Sequence, residues 1–168
     1  EAVGALAAFH AAGLDASLAG EDALVLSQEG ARLVPARLGL DAIERADAAV
    51  LPGGALGRTL ASAPLARTLR ARRGRWTLAA GEGLRLAHAA GLAEGRRVAR
   101  LPGAPALAGA TSVHARLVAD GRLLTSFPGD ALVDLALHYA AREVGDAAAA
   151  KAAHALGREY APFAMGAD

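Results

Sequence analysis

Two short apolar runs in this chain each stop at a glycine-containing turn, and this pattern limits the possible folds more than any other feature. Ala48–Leu51 stops at Pro52-Gly53-Gly54, and residues 76–79 stop just before Gly81-Glu82-Gly83. Short apolar runs bounded by turns are typical of strands buried on both faces of a parallel sheet. Helical patterns lie between and after them, over about 56–73 and 84–90. The alternation predicts an α/β fold with a mostly parallel, doubly wound sheet and helices on both faces.

The second half of the chain adds an antiparallel element. Residues 113–119 and 122–126 flank Asp120-Gly121, a dipeptide typical of a two-residue β-hairpin turn. Other local signals predict the bounds of short elements. These predictions are strands at 23–26, 32–34 and 97–100, Asp41 as N-cap of a helix over 42–45, a helix from about 128 to Val144 capped by Gly145, and a last helix over about 146–159.

Composition and charge exclude several classes of protein. With 168 residues the chain is expected to form one domain, and with no cysteine it has no disulfide, thiolate metal ligand or cysteine nucleophile. A net charge of +1 argues against nucleic-acid binding. No apolar stretch approaches about 18 residues, and no signal peptide is visible, so no membrane span and a cytoplasmic location are expected. The five histidines lack metal-ligand spacing, and neither a metal nor another cofactor is expected.

Residues 76–90 read as a strand, a tight turn and a helix, which is the arrangement of a nucleophile elbow. In such an elbow the turn residue has a strained backbone, and the amides at the start of the helix favour an anion. The turn position here is Ala79, followed by Ala80. Neither side chain can act as a nucleophile.

Four segments, in this order, resemble motifs of the ThiJ/PfpI superfamily, which has the class I glutamine amidotransferase-like fold. Residues 47–54 are similar to its D-x-x-x-x-P-G-G strand end, and residues 78–81 to its elbow, Ile-Cys-Ala-Gly or Ile-Cys-His-Gly. Residues 90–97 are similar to A-G-L-L-x-G-R, and residues 120–126 to D-G-x-L-L-T-S. The resemblance covers about residues 1–145. It implies a flavodoxin-like three-layer sandwich with a β-hairpin, and a protein that commonly forms homodimers.

The resemblance also implies roles for individual residues. The family's cysteine falls on Ala79, and the glutamate that hydrogen-bonds to that cysteine falls on Glu1. The amides of Gly54 and Ala80 fall where the family places its oxyanion donors. A histidine that many members keep near the cysteine falls close to Leu101 and is therefore absent. Gly53, Gly81 and Glu82 complete the expected binding positions. Glu82 is a weaker candidate, because an acidic residue in the first turn of a helix is more often simply solvated.

The family's chain begins with a strand of about ten residues that ends near the glutamate. The present sequence begins at Glu1. We therefore expect a strand to precede Glu1, because a parallel sheet without this interior strand would expose two unpaired edges.

Three functions remain open from the sequence. The first is a non-catalytic protein that binds a small molecule or a second copy of itself. The second is a cysteine-dependent enzyme, of the glyoxalase/deglycase, peptidase or hydratase type, whose nucleophile at position 79 has been mutated to alanine. The third is the ligand-sensing domain of a transcription regulator, which ranks last because about 23 residues after Gly145 are too few for a helix-turn-helix module.

Overall fold

A computed structural model of the chain describes residues 1–20, 25–26, 32–33, 37–54, 62–100, 103, 105–127 and 129–162. These residues contain six α-helices: α1 Ala2–Ala11, α2 Asp41–Arg45, α3 Ala63–Ala71, α4 Gly83–Ala89, α5 Leu132–Val144 and α6 Asp146–Ala155. They also contain ten short strands: β1 Ala19–Gly20, β2 Val25–Leu26, β3 Arg32–Leu33, β4 Arg37–Leu38, β5 Ala48–Leu51, β6 Trp76–Ala80, β7 Arg97–Ala99, β8 Thr111–Val113, β9 Leu117–Asp120 and β10 Leu123–Ser126.

The central sheet has the strand order β5-β6-β10-β9. The pairs β5–β6 and β6–β10 are parallel, and β9 closes the hairpin antiparallel to β10. Three two-stranded pairings accompany it: β1–β4 and β7–β8 are parallel, and β2–β3 is antiparallel. The predicted mixed, mostly parallel sheet is therefore confirmed.

The sheet lies between two helical layers, each with its own apolar core. On one face α1 and α5 cover Leu78 and Ala80 of β6, with Phe9 among the buried side chains. On the other face α3 and α4 cover Leu51 of β5 and Ala79 of β6. Successive residues of a strand point to opposite faces, so Ala79 and Ala80 belong to different cores. This arrangement confirms the prediction of helices on both faces.

The predicted hairpin is present, but its turn lies one residue later than expected. Leu123 pairs with Asp120, so the two turn residues are Gly121 and Arg122, with Gly121 at φ +59°. Asp120 stays in the strand because its carboxylate accepts a hydrogen bond from the amide of Arg97 at 2.8 Å and pairs with Arg96 at 2.9 Å. The expected strand over 113–119 is wrong in extent, since β8 and β9 are separate and pair with different neighbours.

Two helix boundaries also differ from the predictions. Asp41 is the first residue of α2 rather than its N-cap, and its carboxylate pairs with Arg45 one turn later at 2.7 Å. The last helix ends at Ala155 and not near residue 159, because Gly157 takes φ +66° and the amide of Arg158 bonds back to Ala153 O.

Other predicted elements are described only in part. The helix predicted over 56–73 is described as α3, and its residues before Ser62 lie outside the described residues, as do positions 23, 24 and 34 of the two early strands. Helix α5 follows a short 3-10 turn, Gly129–Ala131, and ends at Gly145 as predicted. No helix within the described ranges is long and apolar enough to span a bilayer.

Candidate functional site

Three parallel strands, β5, β6 and β10, end at the same edge of the sheet. Leu51 is in register with Ala79, and Ala80 is in register with Ser126. The amide of Gly81 then donates to Ser126 O at 3.0 Å, so the chain leaves the sheet between two strand ends. In open α/β sheets, ligands bind outside the carboxyl ends of the strands, and this edge is therefore the candidate site.

The nucleophile position, Ala79, has no exposed surface. Its methyl group packs in the core with Leu51, Leu84 and Val98, and its neighbour Ala80 is equally buried against the other layer. Both residues remain in the ladder with β10. No residue other than glycine has a positive φ in the described part of the chain, and Gly81 takes the turn at φ +50°. The strained conformation predicted for Ala79 is therefore wrong, because the turn follows the strand at Gly81.

Glu1 lies against the bend that ends β5, although 52 residues separate it from Gly53 in sequence. The amide of Gly53 donates to Glu1 Oε2 at 2.7 Å. A Cβ on Gly53 would lie 2.8 Å from Glu1 Oε2 and 3.3 Å from both Glu1 Oε1 and Ala80 O. A side chain at this position would displace the Glu1 carboxylate and lie close to the Ala80 carbonyl. The amide that donates to a carboxylate is thus that of Gly53. The predicted donor is the amide of the next residue, Gly54, whose φ is +124°.

Helix α4 begins directly behind the same bend. A Cβ on its first residue, Gly83, would lie 2.7 Å from Pro52 O and would overlap Leu51 O. Glu82 precedes it and forms an ion pair with Arg85 at 2.8 Å, with both side chains partly exposed. Glu82 therefore acts in this structure as half of an (i, i+3) pair on the first turn.

The predicted binding position Leu101 lies outside the described residues. Its neighbour Arg100 donates a hydrogen bond to Nε2 of His114, which lies just beyond β8. Sequence reasoning missed this histidine, because it falls inside the single strand expected over 113–119. The register of β7 with β8 is the signal that places His114 beside Arg100.

Ser126 is a second residue that sequence reasoning did not assign to the site. It ends β10, it is fully buried, and its Oγ has no hydrogen-bond partner among the described residues. In the sequence, Ser126 is identified only as the last residue of the D-G-x-L-L-T-S motif, with no role in the site.

An ion-pair network borders the site beside β10. Arg116 pairs with Asp134 at 2.8 Å and with Asp130 at 3.5 Å, and Arg158 pairs with Asp134 at 2.7 Å. The hydrogen bond from Arg116 to Asp134 raises the pKa of the guanidinium. Among the described residues no three His, Asp or Glu side chains are grouped to hold a metal ion.

Comparison with known proteins gives one family and a set of similar folds. The sequence model of the DJ-1/PfpI family matches residues 1–142. A comparison with curated proteins finds no significant match.

Solved structures with a similar fold come from several organisms. A cysteine-to-alanine mutant of a DJ-1 superfamily protein from Salmonella typhimurium is 28% identical, with 95% of this chain and 91% of that chain covered and a TM-score of 0.78. A ThiJ/PfpI family protein from Pseudomonas syringae is 23% identical (99% and 73% covered, TM-score 0.83). Toxoplasma gondii DJ-1 in its oxidized form is 22% identical (95% and 92% covered, TM-score 0.82).

Proposed function

This chain belongs to the DJ-1/PfpI family, and on that premise we propose that it is a non-catalytic member with a binding or regulatory role at the vestigial elbow. The observation that supports this proposal is the nucleophile position, where a fully buried alanine continues a regular strand. Thiol-dependent chemistry needs a thiolate at that point, and this sequence contains no cysteine.

The surroundings of Ala79 support the loss of catalysis as well. It lies in the same core as Leu51 and Leu84 with no exposed surface, so a reacting atom has no access to it. The turn with positive φ at this strand end is made by Gly81, which has no side chain and therefore presents no nucleophile.

The bend at Gly53 supports a binding role. Its amide donates to a carboxylate oxygen at 2.7 Å, and Glu1 supplies that carboxylate from a distant part of the sequence. Small-molecule binding at this edge would use a backbone donor without needing a nucleophile.

The proposal includes a homodimer formed through the outer face of α1. This helix contains no Asp, Glu, Lys or Arg over ten residues, and Val3 on its outer side is 53% exposed. A helix that is apolar on all sides is normally covered on all sides. The cytoplasmic location expected from the sequence stays a prediction.

A turnover assay tests the non-catalytic proposal. We expect the unmodified chain to convert methylglyoxal or a glycated substrate no faster than buffer. Ala79→Cys restores the thiol at the elbow, and Ala87→Cys is a matched control, because Ala87 is equally buried in the same core. On our proposal both variants also stay at background. Turnover by the unmodified chain contradicts the proposal.

The alternative is a cysteine-dependent enzyme whose nucleophile has been replaced by alanine. The contact between Glu1 and Gly53 favours it, since the resemblance assigns the glutamate to the partner of the missing thiol. On this alternative, Ala79→Cys gains at least about 1,000-fold in turnover while Ala87→Cys gains none. The same assay therefore decides between the two functions.

A further inference from the structure

We infer that Arg100, oriented by His114, is an oxyanion-binding position at the rim of the candidate site, and that the small molecules bound at this edge carry a carboxylate or phosphate group. The inference rests on the proposed binding role of the edge, and it names the chemical class of the ligand. It starts from the hydrogen bond that Nη1 of Arg100 donates to Nε2 of His114.

Two hydrogen bonds fix the direction of β7 and bring Arg100 to the carboxyl edge of the sheet. The first amide of β7 donates at 2.8 Å to the carboxylate of Asp120, which pairs with the first residue of β10. The last amide of β7, that of Ala99, donates at 2.9 Å to Oγ1 of Thr125, which is in register with Ala79. Arg100 therefore follows β7 at the edge where the elbow lies. The bend after β5 is on the opposite side of β6.

Arg100 and His114 meet because β7 and β8 end side by side. Ala99 is in register with Val113, and the amide of Arg100 donates to Val113 O at 2.9 Å. The next residues of the two strands are then neighbours, and both are exposed. A guanidinium has no acceptor atom, so Nε2 of His114 must accept, and the imidazole is neutral. The histidine therefore holds the guanidinium without compensating its charge.

Arg100 differs from two other arginines of this edge in its partner. Arg85 pairs with Glu82, and Arg116 pairs with Asp134, each at 2.8 Å. Within the described ranges, no acidic side chain forms an ion pair with Arg100. An anionic ligand therefore meets a positive charge here that no described acid neutralises.

The remaining donors of Arg100 suit an oxyanion. His114 occupies Nη1, while Nε and Nη2 donate to no other residue in the described part of the chain. These two nitrogens form the planar fork of a guanidinium, which binds two oxygens of a carboxylate or phosphate at once. Because it holds Nη1, His114 fixes the direction of this fork and is a positioning residue.

Sodium acetate and sodium phosphate are the probes for this inference. Each would be titrated into the protein at constant pH, with sodium chloride at equal ionic strength as the reference. The readout is the imidazole resonance of His114, which is in contact with Arg100. In the unmodified chain we expect a saturable shift with acetate or phosphate and none with chloride. The two affinities show which oxyanion the position prefers.

Arg100→Gln removes the fork and is expected to lower the oxyanion affinity at least about 10-fold. Arg97→Gln is the matched control, because Arg97 is exposed at the other end of the same strand and loses the same charge. The control is expected to bind as the unmodified chain does. The inference is overturned if the unmodified chain shows no saturable shift, or if the two variants lose affinity equally.

His114→Leu tests the positioning role, with the Nε resonance of Arg100 as the readout. Leucine accepts no hydrogen bond, so the affinity should fall by about 3- to 10-fold, the cost of ordering a free side chain. His114→Gln offers an amide oxygen to Nη1 and should restore most of the loss. If it restores none, the positioning role of His114 is overturned. These failures all leave the non-catalytic proposal standing, since only turnover by the unmodified chain contradicts that.

Discussion

Gly83, the first residue of α4, packs directly against Leu51, the last residue of β5. A Cβ at position 83 would overlap the carbonyl oxygen of Leu51 and lie 2.7 Å from that of Pro52. Both obstacles are backbone atoms at the end of a sheet strand, which cannot move without disturbing the ladder with β6. The close approach sets how near the helix comes to the bend that holds Glu1.

Gly83→Ala is therefore expected to destabilise the protein by about 2–4 kcal/mol, measured by denaturant unfolding. Gly4→Ala is the matched control, because its Cβ would meet only a methyl group of Val133 at 2.9 Å. That side chain can shift, and alanine is the better helix former, so Gly4→Ala should stay within about 1 kcal/mol of the unmodified chain. Equal losses in the two variants would contradict this packing.

Arg72 links the segment before β5 to the first residue of β6 through hydrogen bonds to backbone carbonyls. It is 1% exposed, and its guanidinium donates to the carbonyls of Ala46 at 2.7 Å and Trp76 at 3.1 Å. It also reaches carbonyls of Ile43, Glu44 and Asp47. Burial lowers the pKa of Arg72, and the carbonyl oxygens stabilise the positive charge of its guanidinium.

Arg72→Met is expected to lower the free energy of unfolding by about 3–5 kcal/mol, because it removes the guanidinium donors of these buried carbonyls. Arg72→Lys should recover only part of the loss, since one ammonium group cannot span the same carbonyls. For Arg73→Met, whose side chain is 60% exposed, a change within about 1 kcal/mol is expected. Chemical denaturation of the three variants measures the difference, and a small loss in Arg72→Met would refute the role.

The strand positions could be predicted from the sequence where an apolar run meets a turn. Ala48–Leu51 matches β5 residue for residue, and Gly145 ends α5 as expected. The hairpin turn was misplaced by one residue, because the contacts of Asp120 with Arg96 and Arg97 involve residues more than 20 positions away. Local turn preferences carry no information about such partners.

The candidate site was less accessible to sequence reasoning. The position of Glu1 came from family resemblance, since no spacing rule connects it with Gly53. The strain expected at Ala79 was wrong, because the register with Thr125 keeps that residue in the ladder. His114 was missed because its contact with Arg100 depends on the pairing of β7 with β8, and the sequence showed β8 and β9 as one strand.

The two tyrosines of the chain should titrate well above their ordinary pKa of about 10. Burial, and then the charge of Glu143, raises the pKa of Tyr139 to about 12. Burial, and then a 2.6 Å hydrogen bond to Asp146, raises the pKa of Tyr160 to about 12.

A raised pKa means that the folded state favours the neutral phenol. The stabilisation is complete below about pH 10, the unfolded value, and is lost as the pH rises towards 12. Tyrosinate absorbance should therefore develop about two pH units higher in the native protein than in denaturant. Tyr160→Phe leaves one transition that belongs to Tyr139, and a native midpoint near 10 for either tyrosine would contradict its assigned environment.

Val3→Glu should weaken the proposed dimer without unfolding the protomer. Val3 is 53% exposed, so a carboxylate there meets water in the monomer but would be buried in an interface formed through α1. Sedimentation should show a dimer for the unmodified chain and a shift to monomer for Val3→Glu. Ala150→Glu, at an exposed position of α6, should remain dimeric. If the unmodified chain sediments as a monomer at high concentration, the dimer proposal is contradicted.

A thiol placed at the elbow should be hidden in the folded protein. Ala79 has no exposed surface and lies in the same core as Leu51 and Leu84, so the sulfur of Ala79→Cys is reached only when the sheet edge opens. The rate of its reaction with a thiol reagent should be at least about 100-fold lower than that of Ala150→Cys in native buffer, and equal to it in denaturant. If Ala79→Cys is labelled rapidly in native buffer, the elbow exposes this residue to solvent. In that case burial of the strand end would no longer explain a loss of catalysis.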